Sequence, residues 1–452
     1  MALSTDEHAL LDRLHKQYLS ADTQDERLLR YYQGQQRVEH LGMALPPSLR
    51  RFLVVTNWPR VVVDTIRDRQ QVRWMILPGE ETADPQLRDI WDASNLSAHV
   101  AMFNQDRMVY GRAFMSVGSN EDNPELPLVR VESPREMTAL VDVRRERVDA
   151  AARFYGRDET SGLTPTHATL YLPEQTIWCE WDKGVWRDVD RDRHRIGRVP
   201  VVMHLNRRMS GGWVGGSEMT DVIPLADAAA RSLSLMQFAQ ESHGIPRIFM
   251  TGVSQGDFVD PTTGKPIPRF EAYFNALHTI TSPDAKMGQL TAADLKNFET
   301  SMSIYGKQAS TVTGFPGRYF GINTTNPPGE GAIRADEATL IRSVETQNEQ
   351  VGMTLGWVGA LALRFATQDW VPGNRVRVDW FDPATPTVAQ RMDAVTKAKA
   401  TGILSREGSW DELGWSEARK AKERGYFEAE ATDPVIDRVL REFDSGDAAD
   451  GA

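Results

Sequence analysis

The stretch MSGGWVGG at residues 209–216, followed by SEMTDVIPLADAAARSLSLMQFAQESH at 217–243, decides how the chain is organised. Four glycines in eight residues mark a break, read as a flexible hinge between domains. An apolar stripe then begins, with Val222, Ala226, Ala229, Leu233 and Met236 spaced four, three, four and three apart. That is one face of a helix of coiled-coil type. Ser217 is placed to cap its start, and Gly244 followed by Pro246 stops it. The small residues Ala228–Ala230 would let a neighbouring helix approach closely.

Upstream of the glycines, helix gives way to strand. Thr5–Tyr32 reads as one or two surface-lying helices carrying Leu10, Leu14, Tyr18, Leu28 and Leu29. A helix restarts around Pro59, because proline is tolerated in a first turn. Val72–Leu77 reads as a strand and Pro85–Tyr110 as one helix. After Gly111 the residues alternate, as strands require. Strands are expected at Ala113–Val117, Leu128–Val131, Thr138–Val143, Ala151–Tyr155, Ala168–Leu172, Thr176–Trp181 and Val199–Leu205. Asn123-Pro124, Gly156, Pro173 and Asp182-Lys183-Gly184 separate them. This half is therefore α+β, around an antiparallel sheet.

Downstream, Ile245–Val253 is strand-like, Ser254–Pro268 is a turn-rich excursion and Arg269–Leu277 a short helical return. Thr291–Thr313 reads as a second long helix, with Leu295, Phe298, Met302, Tyr305, Ala309 and Val312 on its stripe. Asn323–Gly331 is loop by composition. A third helix, Ala332–Phe365, spans about 50 Å at 1.5 Å per residue, and Asn348 occupies one expected apolar position. Gly352, Gly356 and Gly359 each weaken it by roughly 1 kcal/mol relative to Ala. A bend or a tight contact with another helix is expected there. A strand at Arg375–Trp380, two or three helices between Thr387 and Phe443, and a polar tail follow.

At roughly 100–200 residues per domain, 452 residues allow two to four packed units. With 40% hydrophobic and 25% charged residues the chain is a folded one. Its one cysteine, Cys179, excludes an internal disulfide framework and a multi-thiolate metal site. No stretch reaches the ~20 apolar residues of a membrane span. The first 29 residues lack the apolar run of a signal peptide. A formal charge of −11 argues against gripping duplex DNA in a basic groove, since that affinity comes from cations displacing counterions.

Catalytic chemistry finds little support. The nine histidines are scattered without a zinc-hydrolase spacing. Gly264-Lys265 resembles the end of a phosphate loop, but Val259 and Pro266 stand where the first glycine and the hydroxyl residue are needed. Gly211–Gly216 lacks the order of a dinucleotide fingerprint. Asp182, Asp188, Asp190 and Asp192 alternate with Arg187, Arg191, Arg193 and Arg195, which suits a solvated hairpin or loop. Replacing Asp188 and Asp190 by Asn is then expected to leave folding and assembly nearly intact. Trp58, Trp74, Trp91, Trp178, Trp181 and Trp186 have little basic interleaving, so they read as core or contact residues and not as platforms for bases.

Four ordered features carry a family resemblance. A helix leads into Tyr110-Gly111-Arg112-Ala113-Phe114. Gly216-Ser217-Glu218 opens an Ala-rich helix that ends at His243-Gly244-Ile245-Pro246-Arg247. Gly288-Gln289-Leu290, with Asp294 and Phe298, leads to Thr313-Gly314-Phe315-Pro316 and Tyr319-Phe320-Gly321. Asn326–Gly331 precedes a helix opening Ala332-Ile333-Arg334-Ala335. In this order they resemble the portal proteins of tailed bacteriophages, especially those from phages of actinobacteria. The similarity covers most of the chain, with a short clip and a brief crown as departures.

The resemblance implies an α+β portal fold: an N-terminal wing at 1–216, a stem helix at 217–244 and a clip at 245–268. A return stem helix and tunnel loop take 269–290, long helices and a strand closing the wing 291–384, and a helical crown and tail 385–452. It implies a homo-oligomeric ring, usually of twelve subunits, at one capsid vertex of the virion, assembled in the host cytoplasm. Double-stranded DNA enters and leaves through its channel. The terminase large subunit docks on it and hydrolyses the ATP; scaffolding protein, major capsid protein and head–tail connector (adaptor) proteins are the other partners. No cofactor, catalysis or membrane is implied. Ser282, Pro283, Asp284 and Lys286 fall where the family has its channel-facing tunnel loop. Ala226, Ala229, Ala230 and Leu233 are expected at the subunit interface, so that Ala229→Phe should disrupt ring closure more than folding. Two other readings are a ring-forming virion protein without a DNA-translocating role, and a carboxylate-based hydrolase.

Overall fold

In a computed structural model of the chain, described over residues 3–37, 54–120, 123–157, 165–243, 248–252, 286–289, 295–322, 330–384, 388–415 and 417–431, helix α1 (Thr5–Gln33) begins with a reciprocal cap. Ser4 Oγ accepts from the Glu7 N–H at 3.2 Å, and Glu7 Oε2 accepts from the Ser4 N–H at 2.7 Å. Leu11 and Leu14 are fully buried against Ala150, Phe154, Leu170 and Ile177 of a sheet. α2 (Trp58–Arg67) carries Pro59 in its first turn. β1 (Val72–Ile76) follows.

The helix expected over Pro85–Tyr110 is two: α3 (Pro85–Ala93) and α4 (Leu96–Tyr110). Asn95 interrupts it with φ 49°, a left-handed conformation that asparagine tolerates better than most residues. Ser94 Oγ accepts the Val129 N–H at 3.1 Å, so the break is tied to a strand.

Two antiparallel sheets make up the rest of this half. β2 (Arg112–Gly118) lies between β3 (Leu128–Glu132) and β9 (Val201–Leu205). The second sheet runs in chain order through β4 (Met137–Asp142), β5 (Arg147–Arg157), β6 (Pro165–Tyr171), β7 (Thr176–Asp182) and β8 (Val185–Asp192). Phe114, Met137, Ala139, Ala151, Val199 and Val201 pack the two against each other. Gly156 lies within β5 and does not end it.

The charged run forms the expected hairpin, with Arg187, Asp190, Arg193 and Arg195 exposed, but β8 corrects the reading of Asp188 as solvated. Its hairpin with β7 puts Trp186 opposite Trp181, and Trp186 and Asp188 turn inward while Arg187 and Val189 face out. Asp188 is buried because Arg191 reaches back to ion-pair with it. The same guanidinium grips both Glu7 oxygens, at 2.9 and 3.0 Å, and so locks the start of α1 to the sheet's outer strand.

After α5 (Ile223–His243) come the short strands β10 (Ile248–Thr251) and β11 (Lys286–Gln289), then α6 (Lys296–Thr313) and α7 (Glu330–Thr367). α7 has 38 residues and is about 57 Å long. A Cβ on Gly356 would meet Gly373 O at 2.5 Å, so the expected tight contact is with the 3-10 turn Gly373–Arg375 and not with a long helix. β12 (Arg377–Trp380) returns to pair with β1, Met75 opposite Val378. Val351, Leu355, Val358 and Leu361 of α7 bury themselves against Met75, Leu87, Val100, Phe103 and Met115.

The chain divides into two compact units, Met1–Pro383 and Ala384–Ala452. The second holds α8 (Val388–Ala400), α9 (Arg406–Glu412) and α10 (Glu417–Ala431), and the Trp410 ring of α9 stacks on Trp415 and on Phe427 of α10. Ser405 Oγ caps α9 by accepting the Gly408 N–H, and Lys420 of α10 ion-pairs with Asp411.

Candidate functional site

The chain reaches α5 through the glycine segment, and that segment is held fast. Gly216 N–H donates to Asn206 O at 2.8 Å, and Asn206 N–H donates to Gly111 O at 2.8 Å. A Cβ on Gly215 would lie 1.7 Å from Gly111 O, so the two backbones touch and only glycine fits. Gly215 and Gly216 therefore form a pinned crossing at the end of the segment expected to be a flexible hinge. Ser217, expected as the helix cap, donates Oγ to Met108 O at 3.0 Å and accepts the Met219 N–H at 3.2 Å. Turns follow, and α5 starts six residues late at Ile223, with Pro224 in its first turn.

A buried charge sits at this root. Arg107 of α4 is 1% exposed. Its guanidinium donates to Gln70 Oε1 at 2.6 Å, Asn206 Oδ1 at 2.7 Å, Gln347 Oε1 at 2.9 Å and Asn104 Oδ1 at 3.0 Å. All four acceptors are neutral amides. Burial pushes the guanidinium down to about 10, against the pull of the Glu218 carboxylate. Asn206 Nδ2 donates to Glu218 Oε2 at 3.0 Å and so bridges the two charges.

Gln70 Nε2 donates onward to Asn348 Oδ1 at 2.8 Å, which explains the polar residue in the apolar stripe of α7. His204 of β9 lies 2.9 Å from Thr354 Oγ1, and burial, reinforced by Arg107, holds its imidazole down to about 3. The end of α2, α4, the approach to α5 and α7 thus meet in one hydrogen-bonded node. Sequence reasoning missed it. The available signals were Asn348 on an apolar stripe and an arginine beside Phe103 and Met108.

Along α5, Ala226, Ala229 and Ala230 are fully buried in the chain's own interior. Ala226 and Ala229 share a core with Tyr31, Trp58, Val62 and Ala309 of α6. Thr56 Oγ1 donates to Ala226 O at 2.8 Å and the Tyr31 hydroxyl donates to Asp227 Oδ2 at 2.8 Å. The small residues do permit close approach, but the approaching elements belong to the same chain, and the three alanines have no surface left for a neighbour. Leu233 is half-buried. The large apolar side chains left exposed on the helix pair are Leu235 and Phe238 of α5 and Ile304 and Val312 of α6, with Leu295 just before α6.

Beyond α5, β10 and β11 pair antiparallel with Thr251 opposite Lys286. Lys286, expected in a tunnel loop, stands exposed at one end of this ladder. Ser282, Pro283 and Asp284 lie outside the described residues, as does most of the expected clip. The aspartates of the β7–β8 hairpin do not converge on one point: Asp188 is turned in and Asp190 is exposed. Burial, aided by Asp188, pushes the Cys179 thiol up to about 12, which keeps it protonated.

The long helices thus keep apolar side chains exposed along the α5–α6 pair and are braced at their root by a buried polar node. The chain belongs to the phage portal protein family of the SPP1 Gp6-like type, whose sequence model matches residues 16–433. It is 33% identical over 413 residues to a portal protein of Mycobacterium phage D29, covering 89% of this chain and 84% of that one. A portal protein of Mycobacterium phage L5 is likewise 33% identical, over 414 residues with the same coverage. Among solved structures, a chain of the virion of a native gene transfer agent particle is similar with TM-score 0.45 and 13% identity, over 83% of this chain and 95% of its own. A chain from the neck of that native particle, computed with C12 symmetry, has TM-score 0.44 and 13% identity, over 82% and 93%.

Proposed function

We propose that this portal-family chain forms a ring of about twelve copies at one vertex of a phage capsid, with an open centre through which double-stranded DNA is packaged and ejected. The carrying observation is family membership along residues 16–433, together with the 33% identity to two mycobacteriophage portal proteins. In this reading 1–216 is the wing, 217–244 the stem, 245–268 the clip, 269–290 the return stem and tunnel loop, 291–384 the closing helices and strand, and 385–452 the crown and tail. The terminase large subunit docks on the ring and supplies the ATP hydrolysis, while this chain does none. Scaffolding protein and major capsid protein meet it during head assembly in the host cytoplasm, and head–tail connector proteins afterwards.

A ring closes through two different surfaces of each subunit that meet head to tail. Leu235, Phe238, Ile304 and the half-buried Leu233 supply apolar surface suited to one such contact. The pinned crossing and the Arg107 node favour a fixed angle between the helix pair and the sheets. Electron-microscopic class averages of purified particles test the reading. The expected images show a closed ring with a central hole, and labelled capsids show it at a single vertex. A protein that stays monomeric under every assembly condition, or a particle without a hole, overturns it.

A further inference from the structure

Met209, Val214 and Val143 are 81%, 80% and 67% exposed. They sit on two adjacent loops, the glycine crossing and the β4–β5 turn, which an Arg208–Glu146 pair links at 3.8 Å. Between these loops and α1 runs a groove of about 480 Å³, and Val143 and Val214 both line it. Phe114, Leu140, Met203 and Leu205 contribute apolar surface to it. Arg112 also lines it, but its guanidinium is engaged by Asp25, at 3.0 Å from Nη1 to Oδ1. The groove itself is thus apolar in character, with its charge internally neutralised.

Two further features describe what would fit. First, residues from β4 and β9 line the groove, and each is the outer strand of its sheet. Helix α1 touches β4 where Ala139 O accepts Gln17 Nε2 at 3.0 Å, and no further strand pairs with β4 among the described residues. Outer strands receive an extended segment by continuing the ladder. Second, the rim is basic. Arg144 and Arg145 in the β4–β5 turn and Arg147 at the start of β5 join Arg207 and Arg208; Asp142, Asp221 and Glu146 pair with Arg145, Arg207 and Arg208, so arginine is in excess on a chain whose total charge is −11. Arg208 also lies over the Trp213 ring at 3.6 Å, extending the apolar wall.

We propose that this groove is a docking site for an extended apolar segment with acidic flanks on another protein. The apolar side chains fill the groove, the backbone runs along an outer strand, and the flanking carboxylates meet the arginine rim. The assignment rests on the groove alone and is independent of ring formation.

Fluorescence anisotropy of the full-length protein with a labelled synthetic peptide tests it, the peptide carrying alternating valine and threonine between paired aspartates. Saturable binding is expected, weakened roughly tenfold by Val214→Asp and several-fold by the Arg144→Glu/Arg145→Glu double variant, and weakened by salt. All three positions are exposed, so folding is not at stake. A peptide with the same centre but lysine flanks is expected to bind more weakly, and equal binding overturns the acidic specificity. Quenching of Trp213, read as the difference between the wild-type chain and Trp213→Phe, reports whether the groove is open. No peptide binding to an open groove overturns the proposal. A groove already shielded in the assembled protein assigns it to a second copy of this chain, and overturns the proposal as well.

Discussion

Ala229 has no exposed surface, and the core around it is filled by Tyr31, Trp58, Val62 and Ala309. Ala229→Phe would force a ring into that space, and overpacking of this kind costs about 1–3 kcal/mol. The expected result is a lower melting temperature of the free subunit. Well-folded subunits that merely fail to close would return the interface to this stripe. Asp188 gives a second contrast. Asp188→Asn leaves Arg191 short of a buried partner and is expected to destabilise the fold by about 1–3 kcal/mol, whereas Asp190→Asn on the exposed side stays near neutral. Glu7 adds a pH signature. Its hydrogen bonds from Arg191, opposed by burial, hold its carboxyl from the ordinary 4.5 down to about 2. A depressed carboxyl stabilises the fold fully above 4.5, and that contribution disappears as pH falls through 2. Thermal melts between those values are expected to show the loss, and Glu7→Gln to flatten it.

Among the described residues most helices and strands were legible as elements because their signals are local, while the helical return expected at Arg269–Leu277 lies outside those residues. The Pro59 restart, the alternation after Gly111 and the α6 and α7 stripes each depend on neighbours a few residues away. β8 was obscured because its inward face uses Asp188 as well as Trp186, and the partner that makes an inward aspartate tolerable, Arg191, is visible only in three dimensions. The alanine stripe of α5 had the opposite difficulty: its spacing reports that something packs closely, and cannot say whether the packing partner is the same chain or the next copy. The Arg107 node was illegible for a related reason, since Gln70, Arg107, Asn206 and Gln347 are far apart in sequence. What the fold leaves outward on the helix pair therefore carries the element-scale prediction. Phe238→Asp and Ile304→Asp alter side chains that are 36% and 52% exposed, and each is expected to cost the subunit about 1–2 kcal/mol, well short of unfolding it. Sedimentation should nevertheless show subunits in place of rings. Intact rings from both variants would move the contact off this helix pair.

At the scale of the whole molecule, charge sets how a ring of this chain would treat DNA. Each copy carries −11, so about twelve copies carry about −130 formal charges. Duplex binding draws its strength from lysines and arginines that displace counterions from phosphates, with an affinity that falls steeply as salt rises. Many of the arginines here are already spent inside the fold: Arg107 on amides, Arg112 on Asp25, Arg153 on Glu132 and Glu136, Arg191 on Glu7 and Asp188. Lys286 is exposed at the end of the β10–β11 ladder, opposite Thr251. A conduit benefits from that balance, because a duplex held at many phosphates would have to be released from each one as it advances. Purified rings are therefore expected to retain no linear duplex in a filter or gel assay at physiological salt, and to show a shallow dependence on salt below it. In the proposed tunnel-loop placement, Lys286→Glu should weaken the low-salt binding further. Tight retention with a steep salt slope would mean that assembly gathers the free cations into a basic bore, and the ring would then have to grip its DNA before moving it.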